Sequence, residues 1–295
     1  LRKLCIIILN CVKRGGNMKG DIYIPIISSI LSGGISYYAA TVVHKFNKRY
    51  KRKEKAVEMA DEFSKLISKR SFDIGEINKK ILENVGLQDK INELENKMNL
   101  SFDNHELRTV FTDKEIAKYH TYKKVTNTEF IKILLRTFKN ENYKEECLRA
   151  IILEFDNKKT IKENIGDKQW TFSTGEKEIV IKSNDVLQGI NTLIKKYNET
   201  HIYCMNKLEY FSMHFTNNIA DSNTVYQSLH QIYLKTILSL YIDISSTNKI
   251  GHEKFYVNLI EFYNEWNNKK IKFKKKTEKR INKNRNSFLK TEKLK

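Results

Sequence analysis

The sequence predicts an all-α chain: an N-terminal single transmembrane helix followed by a cytosolic helical domain with a small β-hairpin insertion. Three observations predict it. Residues 22–43, IYIPIISSILSGGISYYAATVV, carry no charge, and at ~1.5 Å per residue such a helix is roughly 33 Å long, about the thickness of a bilayer's hydrocarbon core. Pro25 is the only proline and glycines are few, and apolar residues recur at three- and four-residue spacing as far as Trp266. Only residues 169–182 alternate in the manner of paired strands.

Length and charge bound the rest. A chain of 295 residues holds an anchor plus one domain of about 200 residues, enough to bury a core. Lys and Arg number 54 against 35 Asp and Glu, a net charge of +19, which points to anionic partners. Cys5, Cys11, Cys147 and Cys204 form no CxxC and no framework of short spacings, so they fit a reducing compartment and imply neither disulfide nor zinc site. Abundant Asn, Lys and Ile fit an AT-rich bacterial genome. Residues 1–21 read as a leader or N-terminal extension. Arg14-Gly15-Gly16 is what a purine-rich ribosome-binding sequence would encode, which makes Met18 the expected start.

The segment 22–43 is a diluted anchor, with serines among its isoleucines, so its flanks matter. Directly after it, Lys45, Lys48, Arg49, Lys51, Arg52, Lys53 and Lys55 are basic and only Glu54 is acidic. Cations resist translocation, which puts the C-terminal domain in the cytoplasm of a protein of the bacterial inner membrane. The same seven residues are the expected membrane-surface binding set. Pro25 falls in the first helical turn, where its missing N–H costs little. Ser28, Ser29, Ser32, Gly33, Ser36 and Ala40 make one face of small residues, across which two helices can approach and self-associate into a homo-oligomer. The alternative for the whole stretch is a buried helix of a soluble protein, which does not call for seven cations just past its end.

Residues 44–70 continue as a basic juxtamembrane helix, with Ala56, Met59, Ala60, Phe63, Leu66 and Ile67 on one face. The helical domain spans 71–268. In it Ile74, Ile77, Ile81 and Val85 keep helical spacing, and Leu87, Ile91, Leu94 and Met98 repeat by four and three, too briefly for a coiled coil. Thr112-x-x-Glu115 and Thr126-x-x-Glu129 have the form of capping boxes. Phe130, Ile133, Leu134, Leu135 and Phe138 predict a strongly apolar helix, and Cys147, Leu148, Ile151, Ile152 and Phe155 another. Trp170 and Phe172 alternate before Thr174-Gly175, and Ile179 and Ile181 after it, which predicts a hairpin with a glycine turn over 169–182. Two helices follow, joined by the loop TNNIADSN. Phe255, Leu259, Phe262, Tyr263 and Trp266 predict the buried face of a last helix. Residues 269–295 are too basic to bury a core and read as a disordered tail or loose helix. Within this tail Lys274, Lys275, Lys276, Lys279 and Arg280 are candidates for binding an anionic partner, nucleic acid included.

No catalytic, cofactor-binding or metal-ligating residue is nominated. The seven histidines show no HExxH spacing, and no phosphate loop or nucleophile elbow is present. His214 and His230 lie in apolar helices as packing residues, and Glu209 and His230 are candidates to pair across the interface between theirs. Near an anionic bilayer each Lys or Arg contributes ~1 kcal/mol at low salt, whereas neutralising nucleic-acid phosphates gives binding that weakens steeply with salt.

The segment 205–242 carries Leu208-Glu209-Tyr210-Phe211, Asn218-Ile219-Ala220-Asp221, Val225-Tyr226 and Ser228-Leu229-His230. It resembles the C-terminal part of an uncharacterised bacterial and prophage family, a domain of unknown function that joins one N-terminal membrane helix to a cytosolic helical domain. The resemblance implies a phage-defence, abortive-infection setting and carries over no established enzyme activity. The sequence therefore favours a membrane-anchored interaction or sensor-effector protein with an unknown protein partner. A membrane-tethered nucleic-acid binder and an oligomerising, membrane-permeabilising effector are the alternatives.

Overall fold

The computed structural model describes residues 20–96, 104–138, 143–155, 160–174, 177–249 and 254–292. They form α1 (Gly20–Glu62), a π-helical turn (Phe63–Ile67), α2 (Ser68–Val85), α3 (Gln88–Asn96), α4 (Asn104–Thr109), α5 (Asp113–Tyr122), α6 (Thr128–Thr137), α7 (Tyr143–Leu153) and α8 (Ile161–Ile165). Strands β1 (Gln169–Thr174) and β2 (Lys177–Lys182) follow, then α9 (Ser183–Thr216), α10 (Ser222–Ser239), α11 (Tyr241–Lys249) and α12 (Val257–Glu292). The chain is mostly helical with one antiparallel hairpin.

Two compact units divide the chain, residues 1–54 and 55–295. In the first, the described structure is the helix α1 up to Glu54, and the side chains from Ser32 to Tyr50 are exposed apart from a half-buried Thr41. Thr41 donates its hydroxyl to the Tyr37 carbonyl one turn back, at 2.8 Å, which satisfies a polar group within the uncharged stretch of the helix. Among the described residues no helix is long and apolar enough to cross a membrane. The side chains of the more apolar half of the expected anchor, residues 22–31, lie outside the described ones, as do Ser28 and Ser29 of the small-residue face.

The second unit is organised around α2. Its Ile74, Ile77, Ile81, Leu82 and Val85 are buried, and it packs against α5, α6, α9 and α10. One helix can touch so many neighbours because small residues clear its back: a Cβ on Gly75 would sit 2.7 Å from the Ser239 hydroxyl of α10. At its end Gly86 takes φ 75°, the left-handed cap that glycine adopts without a Cβ penalty, and the Leu87 N–H closes onto the Leu82 carbonyl at 2.8 Å.

A second centre of packing is aromatic. Phe63 of the π turn, Phe211 and Phe215 of α9, Tyr233 of α10, and Phe262 and Trp266 of α12 are nearly fully buried. Phe215 stacks on Phe262 with centroids 4.7 Å apart, and Phe262 meets Trp266 at 4.4 Å. Such pairs contribute ~0.5–1.5 kcal/mol each beyond their burial. The hairpin joins this core through one face: Trp170 lies opposite Ile181 and Phe172 opposite Ile179, and Ile181 is fully buried. Since two strands alone are only marginally stable, packing on α7 and α9 holds the pair. Gly175 of the expected turn lies outside the described residues.

Several local expectations change. Thr112 and Glu115 form the reciprocal capping box, but the second box is displaced: Asn127 caps α6, its Oδ1 accepting from the N–H groups of Glu129 and Phe130. Asn is the stronger N-cap and wins over the neighbouring Thr126. Phe255 precedes α12 and is 45 % exposed, because Tyr256 at φ 59° turns the chain before the helix begins. Residues 269–292 continue α12 as one helix. Lys and Arg are good helix formers and no Gly or Pro interrupts this run, so charge alone does not unwind it.

Candidate functional site: the cationic helix, the basic tail and a buried carboxylate

On α1, Lys45, Lys48, Arg49, Lys51 and Lys53 are exposed, while Arg52 and Lys55 are half-buried. Lys55 donates to Glu58 at 2.7 Å, a hydrogen bond that raises its pKa and offsets its charge locally. Apolar side chains share the helix: Ile35, Tyr37, Tyr38, Val42, Val43, Phe46 and Tyr50 are all exposed. Gly33 has open space where a Cβ would lie, and Ser32, Ser36 and Ala40 are exposed beside it.

In the tail, Lys274, Lys275, Lys276, Lys279 and Arg280 are exposed on α12. The start of this stretch is held on α10. The Lys269 ammonium lies 4.0 Å from the Tyr226 ring centroid and donates to Asn223 Oδ1 at 2.5 Å, while Phe273 stacks on Tyr226 with centroids 6.1 Å apart.

Sequence reading missed the polar centre of the domain. Asp243 of α11 is 5 % exposed and gathers donors from three other helices. Asn78 of α2 donates from Nδ2 to its Oδ2 at 2.6 Å, and the Tyr119 hydroxyl of α5 reaches its Oδ1 at 3.1 Å. Lys123, just past α5, approaches Oδ1 at 3.4 Å. His201 of α9 brings Nε2 to 3.2 Å from Oδ2, without the alignment of a good hydrogen bond. Burial by itself would raise the Asp243 pKa, but the charges of Lys123 and His201 and the hydrogen bonds hold it well below the usual carboxylate range. Burial likewise pulls on Lys123, and the attraction of Asp243 more than offsets it, so its pKa is raised. Tyr119 is pushed well above its ordinary value by burial first and by Asp243 second. A carboxylate with its oxygens occupied and its proton lost at neutral pH is a poor acid–base catalyst and a good anchor for the helices around it.

His214, His230 and Glu209 also bond backbone groups. The ring nitrogens of His214 and His230 bond the carbonyls of Tyr210 and Tyr226 four residues earlier, at 2.9 and 2.7 Å. Glu209 does not pair with His230. Instead it accepts from the Asn258 N–H at 3.1 Å, the Asn258 amide at 2.7 Å and the Leu259 N–H at 2.9 Å, capping the start of α12 from a different helix. The positive end of a helix attracts a carboxylate more strongly than an imidazole does. Cys204 is buried, and that burial pushes its thiol up to about 12, which removes it as a nucleophile. Among the described residues no three His, Cys, Asp or Glu side chains are grouped to hold a metal ion.

Compared with protein-family models, curated proteins and solved structures, the chain matches none.

Proposed function

We propose that the chain is a membrane-anchored interaction module: residues 22–43 insert in the bilayer, the cationic turns from Lys45 to Lys53 lie against anionic headgroups, and the helical domain works in the cytoplasm. The observation that supports this best is the exposure of α1, where Ile35 is 60 % and Val43 57 % exposed on a helix with no charge between residues 22 and 43. Exposed apolar surface of that kind is costly in water and stable in lipid. The exposed small residues Ser32, Gly33, Ser36 and Ala40 support self-association of the same helix. The resemblance of residues 205–242 to membrane-anchored prophage proteins supports a role in phage defence.

Flotation of the purified full-length chain with vesicles tests the reading. Binding to neutral vesicles that persists in high salt, and that is abolished by deleting residues 1–43, is the expected result. Binding that vanishes in salt would leave only surface adsorption and contradict the inserted anchor.

A second reading has its own observation. Lys274, Lys275, Lys276, Lys279 and Arg280 are exposed along one helix with only Glu278 among them, and such a strip neutralises nucleic-acid phosphates as readily as lipid ones. Gel shifts with and without residues 269–295 separate the two: a salt-sensitive shift lost on truncation would favour nucleic acid.

A further inference from the structure

We propose that a groove on the helical domain, walled by the π turn, α2 and α9, binds a phosphate-bearing ligand through Lys69, Arg70 and Lys196. Among the described residues it is lined by these three cations, by Lys65 and Thr200, and by Asp73 as the one carboxylate. Its volume of about 560 Å³ is in the range of small-molecule sites. It opens beside the π-helical turn Phe63–Ile67, a local distortion found disproportionately at functional sites. Here the turn keeps Phe63 and Ile67 in the core while Lys65 and Leu66 face outward.

The charges in the groove do not balance. Lys65 is paired with Asp61 at 2.8 Å; Lys69 and Lys196 are exposed, their charges both act on the half-buried Asp73, and the Lys196 ammonium lies 5.3 Å from the Phe138 ring centroid. The Arg70 guanidinium lies 4.3 Å from the Tyr203 ring centroid, a cation–π contact, and a guanidinium suits two oxygens of one phosphate. Asp73 feels the charges of Lys69 and Lys196 and leaves the groove with a surplus of positive charge, which favours a compact anion of more than one charge. A phosphate group, with about two negative charges and three acceptor oxygens, offsets that surplus. The ligand chemistry is therefore a compact phosphate ester, either a soluble one or a lipid headgroup.

The test is calorimetric titration of the full-length chain, in micelles of a neutral detergent at low salt, with two probes: pyrophosphate and short-chain phosphatidic acid. Saturable binding of either is expected, pyrophosphate alone indicating a soluble ligand and phosphatidic acid alone a lipid headgroup. The double variant Lys69→Gln with Lys196→Gln should bind at least tenfold more weakly. Lys274→Gln with Lys275→Gln, the same loss of charge on the exposed tail, should bind as the parent does. Asp73→Asn should bind severalfold more tightly, an outcome that mere structural ion pairing does not produce and that does not depend on the double variant folding. No saturable binding of either probe, equal binding by the groove and tail variants, or weaker binding by Asp73→Asn would each overturn the proposal.

Discussion

The ammonium of Lys123 faces the carboxylate of Asp243 at 3.4 Å, with side chains only 16 % and 6 % exposed. Each ion is tolerated in the interior because the other is there, and because Asn78, Tyr119 and His201 crowd the same carboxylate. Removing one partner leaves the other buried charge without the counter-ion it faces. Asp243→Ala is therefore expected to lower unfolding free energy by ~3–5 kcal/mol. Lys123→Met with Asp243→Leu should cost clearly less than the two single changes summed, since the double variant leaves neither charge behind. Urea unfolding followed by circular dichroism reads both. A cost for Asp243→Ala under ~1 kcal/mol would mean that the centre does not hold the helices together.

The same carboxylate sets an acid limit on stability. Its pKa in the fold lies well below the usual range, whereas in the unfolded chain it is ~3.9. A depressed pKa stabilises the fold above the unfolded value, and that contribution is lost as pH falls through the interval between the two. Urea midpoints should therefore be level from about pH 7 to 5 and fall below that. In Asp243→Asn, less stable at neutral pH, the fall should be shallower. An unchanged acid slope in that variant would assign the acid sensitivity to other carboxylates.

Gly75 of α2 faces Ser239 of α10 with no room for a side chain. A Cβ at residue 75 would lie 2.7 Å from Ser239 Oγ and 3.1 Å from its Cβ, while that hydroxyl is engaged with the Thr236 carbonyl at 2.7 Å. Alanine gains up to ~1 kcal/mol in helix propensity but must push the two helices apart, at ~1–3 kcal/mol. Gly75→Ala should thus be destabilising, and Ser239→Gly added to it should recover part of the loss. Melting temperatures of the two single variants and the pair decide it, and a stabilising Gly75→Ala would contradict the packing.

Glu209 and His230 should respond differently to the same change. Glu209→Leu removes three hydrogen bonds at the start of α12 and should cost ~1–3 kcal/mol. His230→Leu loses one bond to its own helix and should cost under ~1 kcal/mol. Equal costs would point instead to the pairing that the sequence suggests.

These cases show where sequence reading succeeds. Ile74, Ile77 and Ile81, Phe130 to Phe138, and Trp170 with Ile181 were legible because burial repeats at the period of the element that carries it, and each sits where its spacing puts it. The Thr112–Glu115 cap was legible because both partners lie within one turn. What was not legible is long-range. Asp243 and Asn78 are 165 positions apart, Glu209 and Asn258 are 49 apart, and nothing in the local pattern of either segment announces the other. Lys69, Arg70 and Lys196 read as ordinary surface cations until α2 and α9 pack side by side. The local errors, at Thr126 and Phe255, came from one-residue competition for a helix start.

The central claim concerns the uncharged helix from Ile22 to Val43 and the cations after it. The most direct measurement is extraction of membranes from cells expressing the full-length chain with alkaline carbonate, which strips adsorbed proteins and leaves inserted ones. The account predicts that the chain stays in the membrane pellet. Quantitative release into the supernatant would contradict it.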